Sequence, residues 1–408
     1  MSLHVELDCP QCGAPLAMQE TDRLLRCGYC SVNSYLSNTD NLHFILPRKE
    51  PDPYTIYAPY LHFKGVIYTC FNNRIEHRLA DISTRGIKLS FLPATLRLQP
   101  QAMKIRFATP GLDGTFLKGS LPADIILKRA AKNLQARDEE ILHQAFIGDV
   151  LNIIYLPLTI RDEAVIDGIL ERPLLQIPED QDPFAESEID QQRWAPKFLP
   201  SLCPQCGWNL EGEPDSTVLL CANCNSAWEA AGSRFSEVRV ITTPKKNEAE
   251  LYIPFWAIKV TSKGVKLDTL ADFFRLTNQP VMIRDEWQEK DFRFVLPAFK
   301  IRPDDFLRLG TQMTISQKEK IKSTDNIPKE NIYPVTLQKT DAVQAIKVIL
   351  ANSAVSRNKV FPLLPDIDFQ AKEYLLHYLP FTKTSHELKQ ESLGVTINQR
   401  VLEYGRSL

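Results

Sequence analysis

The chain has 408 residues, 44% of them hydrophobic and 24% charged, enough for more than one buried core. Lys and Arg total 48 against 50 Asp and Glu, and the formal charge of −2 gives no sign of a protein built to bind a phosphate backbone. No apolar run approaches the roughly 20 residues of a membrane helix, and the longest candidate, 150–160, contains Asn152 and Pro157. The expectation is a soluble protein of the reducing cytoplasm, where paired cysteines hold metal more often than they form disulfides.

The first element is a cysteine quartet. Cys9 and Cys12 lie in CPQCG, and Cys27 and Cys30 follow in CGYC. A C-x-x-C turn puts two sulfurs on one side of a tight loop, and two such turns facing each other make the four-sulfur cage that zinc favours. The segment between them is long enough for two short strands. The same pattern returns at Cys203, Cys206, Cys221 and Cys224, again beginning with CPQCG and with the same internal spacing. Each quartet is complete, so two structural Zn²⁺ sites are expected, with iron in the same cages as the rival. Cys70 is left over and reads as a buried strand cysteine.

After the first quartet comes TIYAPYLHFKGVIYTCF, whose alternation of aromatic and β-branched residues predicts a strand, a turn at Lys64-Gly65 and a second strand. Pro59, and Pro254 in LYIPF further on, cannot donate to a sheet ladder and are expected at an edge or bulge. Next, IKLSFLPATLRLQPQAMKIRF continues the β pattern, and 121–152 carries apolar residues at helical spacing. NIIYLPLTIRDEAVIDGIL then predicts a hairpin turning at Arg161-Asp162.

The acidic, proline-bearing stretch 173–199 reads as an exposed linker, with Trp194 able to pin its end to one half. Beyond it the order repeats. LYIPF at 251–255 answers IYAPY at 56–60, VLPA at 295–298 answers FLPA at 91–94, and YLPFT at 378–382 answers YLPLT at 155–159. The offset grows from 194 at the cysteines to 195, 204 and 223, as insertions in 262–290 and 310–370 would make it. The fold expected is α+β in two tandem homologous halves. Their parts are zinc ribbon 1 over 1–40, α+β domain 1 over 41–172, the linker over 173–199, zinc ribbon 2 over 200–234 and α+β domain 2 over 235–408.

CPQCG…CGYC and CPQCG…CANC resemble the zinc ribbon superfamily of rubredoxin-like and transcription-factor-like ribbons, with the eight cysteines falling on its metal-ligand positions. The Y-x-P-[FY] strands and YLP[FL]T endings are also similar to uncharacterised bacterial zinc ribbon proteins in which a β-rich domain follows the ribbon. The resemblance implies the ribbon fold and the metal, and no particular activity.

No HExxH pair, phosphate loop, nucleophile elbow or dinucleotide turn occurs. Acidic clusters at 138–140 and 304–305 read as solvated faces. Lys128, Arg129, Lys132 and Arg137 could make a basic helix face. The aromatic strands suggest a docking edge through Tyr57, Tyr60, Tyr252, Phe255 and Trp256, although such alternating aromatics more commonly cover a core. The reading favoured is a non-catalytic scaffold or accessory subunit binding other protein subunits, including a symmetric or duplicated partner. A nucleic-acid-binding ribbon protein and a rubredoxin-like electron carrier are the alternatives.

Overall fold

A computed structural model describes residues 3–37, 41–48, 52–96, 104–133, 139–179, 181–191, 194–245, 251–318 and 322–405. The first half begins with the ribbon strands β1 (His4–Asp8), β2 (Pro15–Gln19), β3 (Leu24–Arg26) and β4 (Asn33–Ser37). There follow β5 (His43–Ile45), β6 (Ile56–Cys70), β7 (Ile75–Arg85), β8 (Lys104–Phe107), β9 (Thr115–Phe116), α1 (Ala123–Asn133), β10 (His143–Arg161), β11 (Ala164–Asp167) and β12 (Arg172–Gln176). The second half runs β13 (Lys197–Pro200), β14 (Val218–Cys221), β15 (Ser226–Ala231), β16 (Arg234–Glu237), β17 (Val240–Thr242), β18 (Leu251–Lys263), α2 (Leu270–Thr277) and β19 (Phe294–Pro297). It closes with α3 (Pro303–Ile315), α4 (Lys339–Ser353), α5 (Arg357–Val360), β20 (Asp368–Lys383), β21 (Glu387–Gln390), β22 (Val395–Asn398) and α6 (Gln399–Gly405). The architecture is mixed α+β, dominated by strands.

The backbone of the first half is the long antiparallel pair β6·β10, matched from Ile56↔Leu158 to Cys70↔His143. The predicted turn at Lys64-Gly65 does not form: β6 passes straight through. Gly65 lies opposite Gly148, and a Cβ at Gly65 would sit 2.4 Å from the Ile147 carbonyl oxygen and 2.5 Å from the Gly148 Cα. The glycines therefore mark a close backbone approach beside a bulge, which local sequence cannot distinguish from a turn. In the second half Gly264 does end its strand, at φ +83. Helical spacing also over-reaches between 121 and 152. Helix α1 is present, but 143–152 extends along β6 as part of β10, and 134–138 fall outside the described residues. Asp162 and Glu163, at φ 48 and 55, make the expected β10–β11 turn in the left-handed conformation that suits a two-residue hairpin.

The second half uses the same register. Tyr57 faces Pro157 and Pro59 faces Tyr155 in β6·β10; Tyr252 faces Pro380 and Pro254 faces Tyr378 in β18·β20. The extra residue falls at the same step in each pair, between Lys64↔Val150 and Gly65↔Gly148 and between Lys259↔Glu373 and Val260↔Ala371. A short parallel strand flanks each pair, with Ile45 beside Tyr155 and Thr242 beside Tyr378. Equivalent hairpins follow, through Ile160↔Val165 and Lys383↔Leu388.

Pro59 and Pro254 lie at neither edge nor bulge. The Pro59 carbonyl accepts from the Gly86 N–H at 2.9 Å, where β6 changes partner from β9 to β7, and the Pro254 carbonyl accepts from Ala298 at 3.1 Å. Each nitrogen faces a gap in the neighbouring chain, between β9 and β7 for Pro59 and between the Ile332 bridge and β19 for Pro254, where no donor is needed. The same bonds correct the FLPA/VLPA correspondence. Leu296 lies in β19 against Trp256, whereas the place beside β6 is filled by β7, and Leu92 sits in a turn beyond it.

The cores of the two halves are continuous. Tyr68, Cys70, Ala145 and Ile147 pack with the helices and sheet of the second half, and the Tyr68 hydroxyl donates to the Pro303 carbonyl at 3.3 Å. The stretch 173–199 is only partly solvent-borne. It contributes β12 and β13, Leu174 and Phe184 pack on the first core, and Trp194 stacks on His43 with ring centres 4.1 Å apart.

Two mutational and pH outcomes follow from this packing. Gly65→Ala is expected to lower stability by about 1–3 kcal/mol, read from a denaturant midpoint, because backbone rather than a flexible side chain must move. Burial depresses His143 and His377 to about 4, with Lys347 adding to the effect at His143. The unfolded chain takes up these protons near pH 6.5 and the folded chain only near 4, so their contribution is complete above pH 6.5 and is lost progressively toward pH 4. Urea midpoints at pH 7.5 and 5 measure the decline.

Candidate metal centres

Each ribbon is two hairpins whose tips carry the cysteines. In the first tip, the Gly13 N–H donates to the Cys9 carbonyl at 2.9 Å and the Cys9 N–H to Ala14 at 2.8 Å; Gly207, Cys203 and Trp208 repeat this at 2.8 and 2.7 Å. Gly13 and Gly207 have φ +71 and +74, the turn that glycine permits without strain. The second tips close through Ser31 and Asn225, at φ 59 and 57, which bond to the Cys27 and Cys221 carbonyls. The flanking strands keep one register at a constant offset of 194, with Arg26↔Asn33 answered by Leu220↔Ala227 and Asp8↔Pro15 by Leu202↔Asn209.

These tips bring the predicted ligands together. Cys9, Cys12, Cys27 and Cys30 form one cluster and Cys203, Cys206, Cys221 and Cys224 the other, with all four sulfurs of each within 4.8 Å of one another. The closest separations are 3.7 Å for Cys12–Cys27 and 3.8 Å for Cys9–Cys30 in the first cluster, and 3.5 Å for both Cys203–Cys224 and Cys206–Cys221 in the second. A disulfide needs about 2.05 Å. A tetrahedral ion with bonds of about 2.3 Å to sulfur sets edges of roughly 3.8 Å, so both cages fit a four-coordinate thiophilic metal.

The electrostatics also suit a cation. The N–H groups of Cys30 and Tyr29 point at the Cys27 sulfur and hold its thiol down at about 6. The Asn223 side chain and the Trp208 N–H do the same for Cys206, also at about 6. Crowding opposes further ionisation: although the Ser226 hydroxyl lowers Cys224, burial and the three neighbouring sulfurs raise it to about 12. A divalent ion relieves that repulsion and makes all four sulfurs thiolates.

The cages differ in one respect that the cysteine spacing does not reveal. Trp228 Nε1 donates to Ser226 Oγ at 2.7 Å, and that hydroxyl lies 3.0 Å from Cys224 Sγ, to which it donates when the sulfur is a thiolate. In the first ribbon the corresponding positions are Val32 and Ser34.

The proposed docking aromatics lie elsewhere. Tyr57, Tyr60, Phe255 and Trp256 are buried and Tyr252 is partly buried, with the Tyr60 hydroxyl bonded to the Pro93 carbonyl and the Trp256 ring N–H to the Leu337 carbonyl. They are core packing residues, as half-buried alternation in a two-sided sheet more often signifies. The large exposed rings near the cages are instead Tyr29 and Trp208, one in each ribbon, at 75% and 57% exposure. Lys128 pairs with Asp124 at 3.6 Å, while Arg137 lies outside the described residues.

An open groove of about 610 Å³ at the seam between the halves is lined by Arg74, Arg78, Arg308 and Arg357 together with Glu76 and Asp304. Arg74 is bound by Glu76 and Glu139 at 2.8 and 2.6 Å, and Arg308 by Asp305 at 3.0 Å. Among the described residues no helix is long and apolar enough to cross a membrane. Comparison of the chain with protein-family models, with curated proteins and with solved structures returns no match.

Ser226→Ala is expected to weaken metal retention at the second cage by about tenfold, the usual effect of removing a group that orients a metal ligand. Competition with a chromophoric chelator measures it.

Proposed function

We propose that the protein is a non-catalytic zinc scaffold, built from two copies of one ribbon-plus-sheet unit, that holds other protein subunits. The observation that carries this reading is the closure of both cages. Four sulfurs surround each centre, so a tetrahedral ion there has no coordination position left for substrate or water and acts by holding chain segments together. Zinc is the ion we assign, since closed four-cysteine cages of this spacing are its usual structural sites.

Duplication is supported by the shared register of β6·β10 and β18·β20, down to the placement of the bulge, and by the constant offset within the ribbons. A bulge that merely relieved local strain would have no reason to recur at the same step. A protein-binding role is supported by the exposed rings of Tyr29 and Trp208, which stand beside the cages. The nucleic-acid alternative draws on the arginine-bearing groove, but Glu76, Glu139 and Asp305 already bind two of its arginines.

Native purification is expected to recover the chain with a stoichiometric protein partner, and Tyr29→Ala/Trp208→Ala is expected to cut that recovery at least about tenfold. A chain that purifies alone but binds DNA or RNA with steep salt dependence would replace this reading with the nucleic-acid one.

A further inference from the structure

The two cages do not stand on equal supports. In the second ribbon, β15 pairs with β14 on one side and with its own β16 on the other, Trp228 facing Glu237. Its two hairpins are also tied directly: the N–H of Glu211 donates to the carbonyl of Leu220 at 2.8 Å, and the reverse bond is 2.9 Å. All three strands and the tie come from one short stretch of chain.

The first ribbon meets the same needs differently. Its β4 pairs with β3 on one side, but on the other with β13, the strand that leads into the second ribbon. Pro200 faces Ser34, the place that Glu237 takes against Trp228 in the second ribbon. The N–H groups of Arg23 and Leu24 both donate to the carbonyl of Pro214, at 2.7 and 2.9 Å. The buried Tyr35 hydroxyl donates to the Ser216 carbonyl at 3.1 Å, its ring packs edge-on to Phe235, and Ser37 donates to the Gly232 carbonyl. Leu24, Tyr35 and Leu199 share one apolar cluster with Leu210, Leu219 and Trp228.

The other hairpin of the first ribbon belongs to a different body. Strand β1 pairs with β2 and, in parallel, with β8 of the large sheet. At the end of β2 the buried Glu20 carboxylate meets His62 Nε2 of β6 at 3.1 Å and accepts from the Leu3 N–H at 3.2 Å. Cys9 and Cys12 therefore ride on the first half's sheet, while Cys27 and Cys30 ride on a hairpin completed by the second ribbon.

We propose that the two metal sites are energetically coupled through β13 and the shared ribbon cluster, the first cage being a joint that clamps the large sheet to the second ribbon. Losing the ion from the second cage loosens Pro214, Ser216 and β13, and with them the hairpin that presents Cys27 and Cys30. Coupling of binding free energies is reciprocal, so each ion raises the affinity of the other cage by the same factor. The proposal rests on both quartets binding metal, as in the function proposed above, and adds that they do not bind independently.

The test uses the full chain under reducing conditions, with Zn²⁺ and a competing chromophoric chelator. Affinity at the first cage is measured in wild type and in Cys203→Ser/Cys206→Ser, and affinity at the second cage in wild type and in Cys9→Ser/Cys12→Ser. The expected result is a loss of at least about fivefold in each direction, with equal factors, at the low end of ordinary coupling energies. A factor of one in both directions overturns the proposal. A second arm keeps all eight cysteines and loosens only the bridge, by Leu199→Gly. Time-resolved thiol alkylation in chelator is expected to show Cys12 and Cys30 exposed at least about fivefold sooner than in wild type, and an unchanged rate overturns the proposal even where a cysteine variant fails to fold. Wild type that binds no Zn²⁺ at all sinks the zinc reading itself, a separate outcome from two ions bound independently.

Discussion

Sulfur ligands repel one another once they ionise, and four of them crowded within 4.8 Å, as happens twice here, can all be thiolates only where a cation offsets that repulsion. The two ribbons are built to bring those sulfurs together. Tight tips with left-handed residues at Gly13, Ser31, Gly207 and Asn225 aim the sulfurs, and short strands too small to hold a core alone hold the tips. Each ribbon is then built into something larger, the first into the ten-stranded sheet through β1 and the second onto the helical half through the Thr217–Val335 bond at 2.8 Å and the Glu229–Lys339 ion pair.

Beyond the ribbons, each half relies on one long antiparallel pair in which a Tyr and a Pro alternate against a Pro and a Tyr. Proline is tolerated in these central strands because its nitrogen faces the place where one neighbour ends and the next begins. The two halves differ where the constraint is weakest. The first fills the slot beside its long pair with the eleven-residue β7; the second inserts α2 and uses the four-residue β19, against which α3 packs.

Features carried by local spacing are readable from the sequence: the two quartets, the Tyr-x-Pro strands, the β10–β11 turn and helix α1. What failed depends on contacts between distant residues. Gly65 reads as a turn until Gly148 is seen across from it, 143–152 reads as helix until β6 is seen alongside, and 173–199 reads as solvent-borne until β13 is found completing a ribbon. The aromatic strands suggested a docking edge because alternation reports that a face is covered, not by what. Ser226 could have been noticed beside Cys224, but its role depends on Trp228 being folded over it.

The central claim is that each half closes its own cage around an ion. Metal analysis combined with X-ray absorption on the reduced, natively purified chain tests it most directly. The account predicts two zinc atoms per chain, each with four sulfur neighbours at about 2.3 Å and no lighter ligand. One metal or none per chain, or nitrogen or oxygen in the coordination shell, would contradict it.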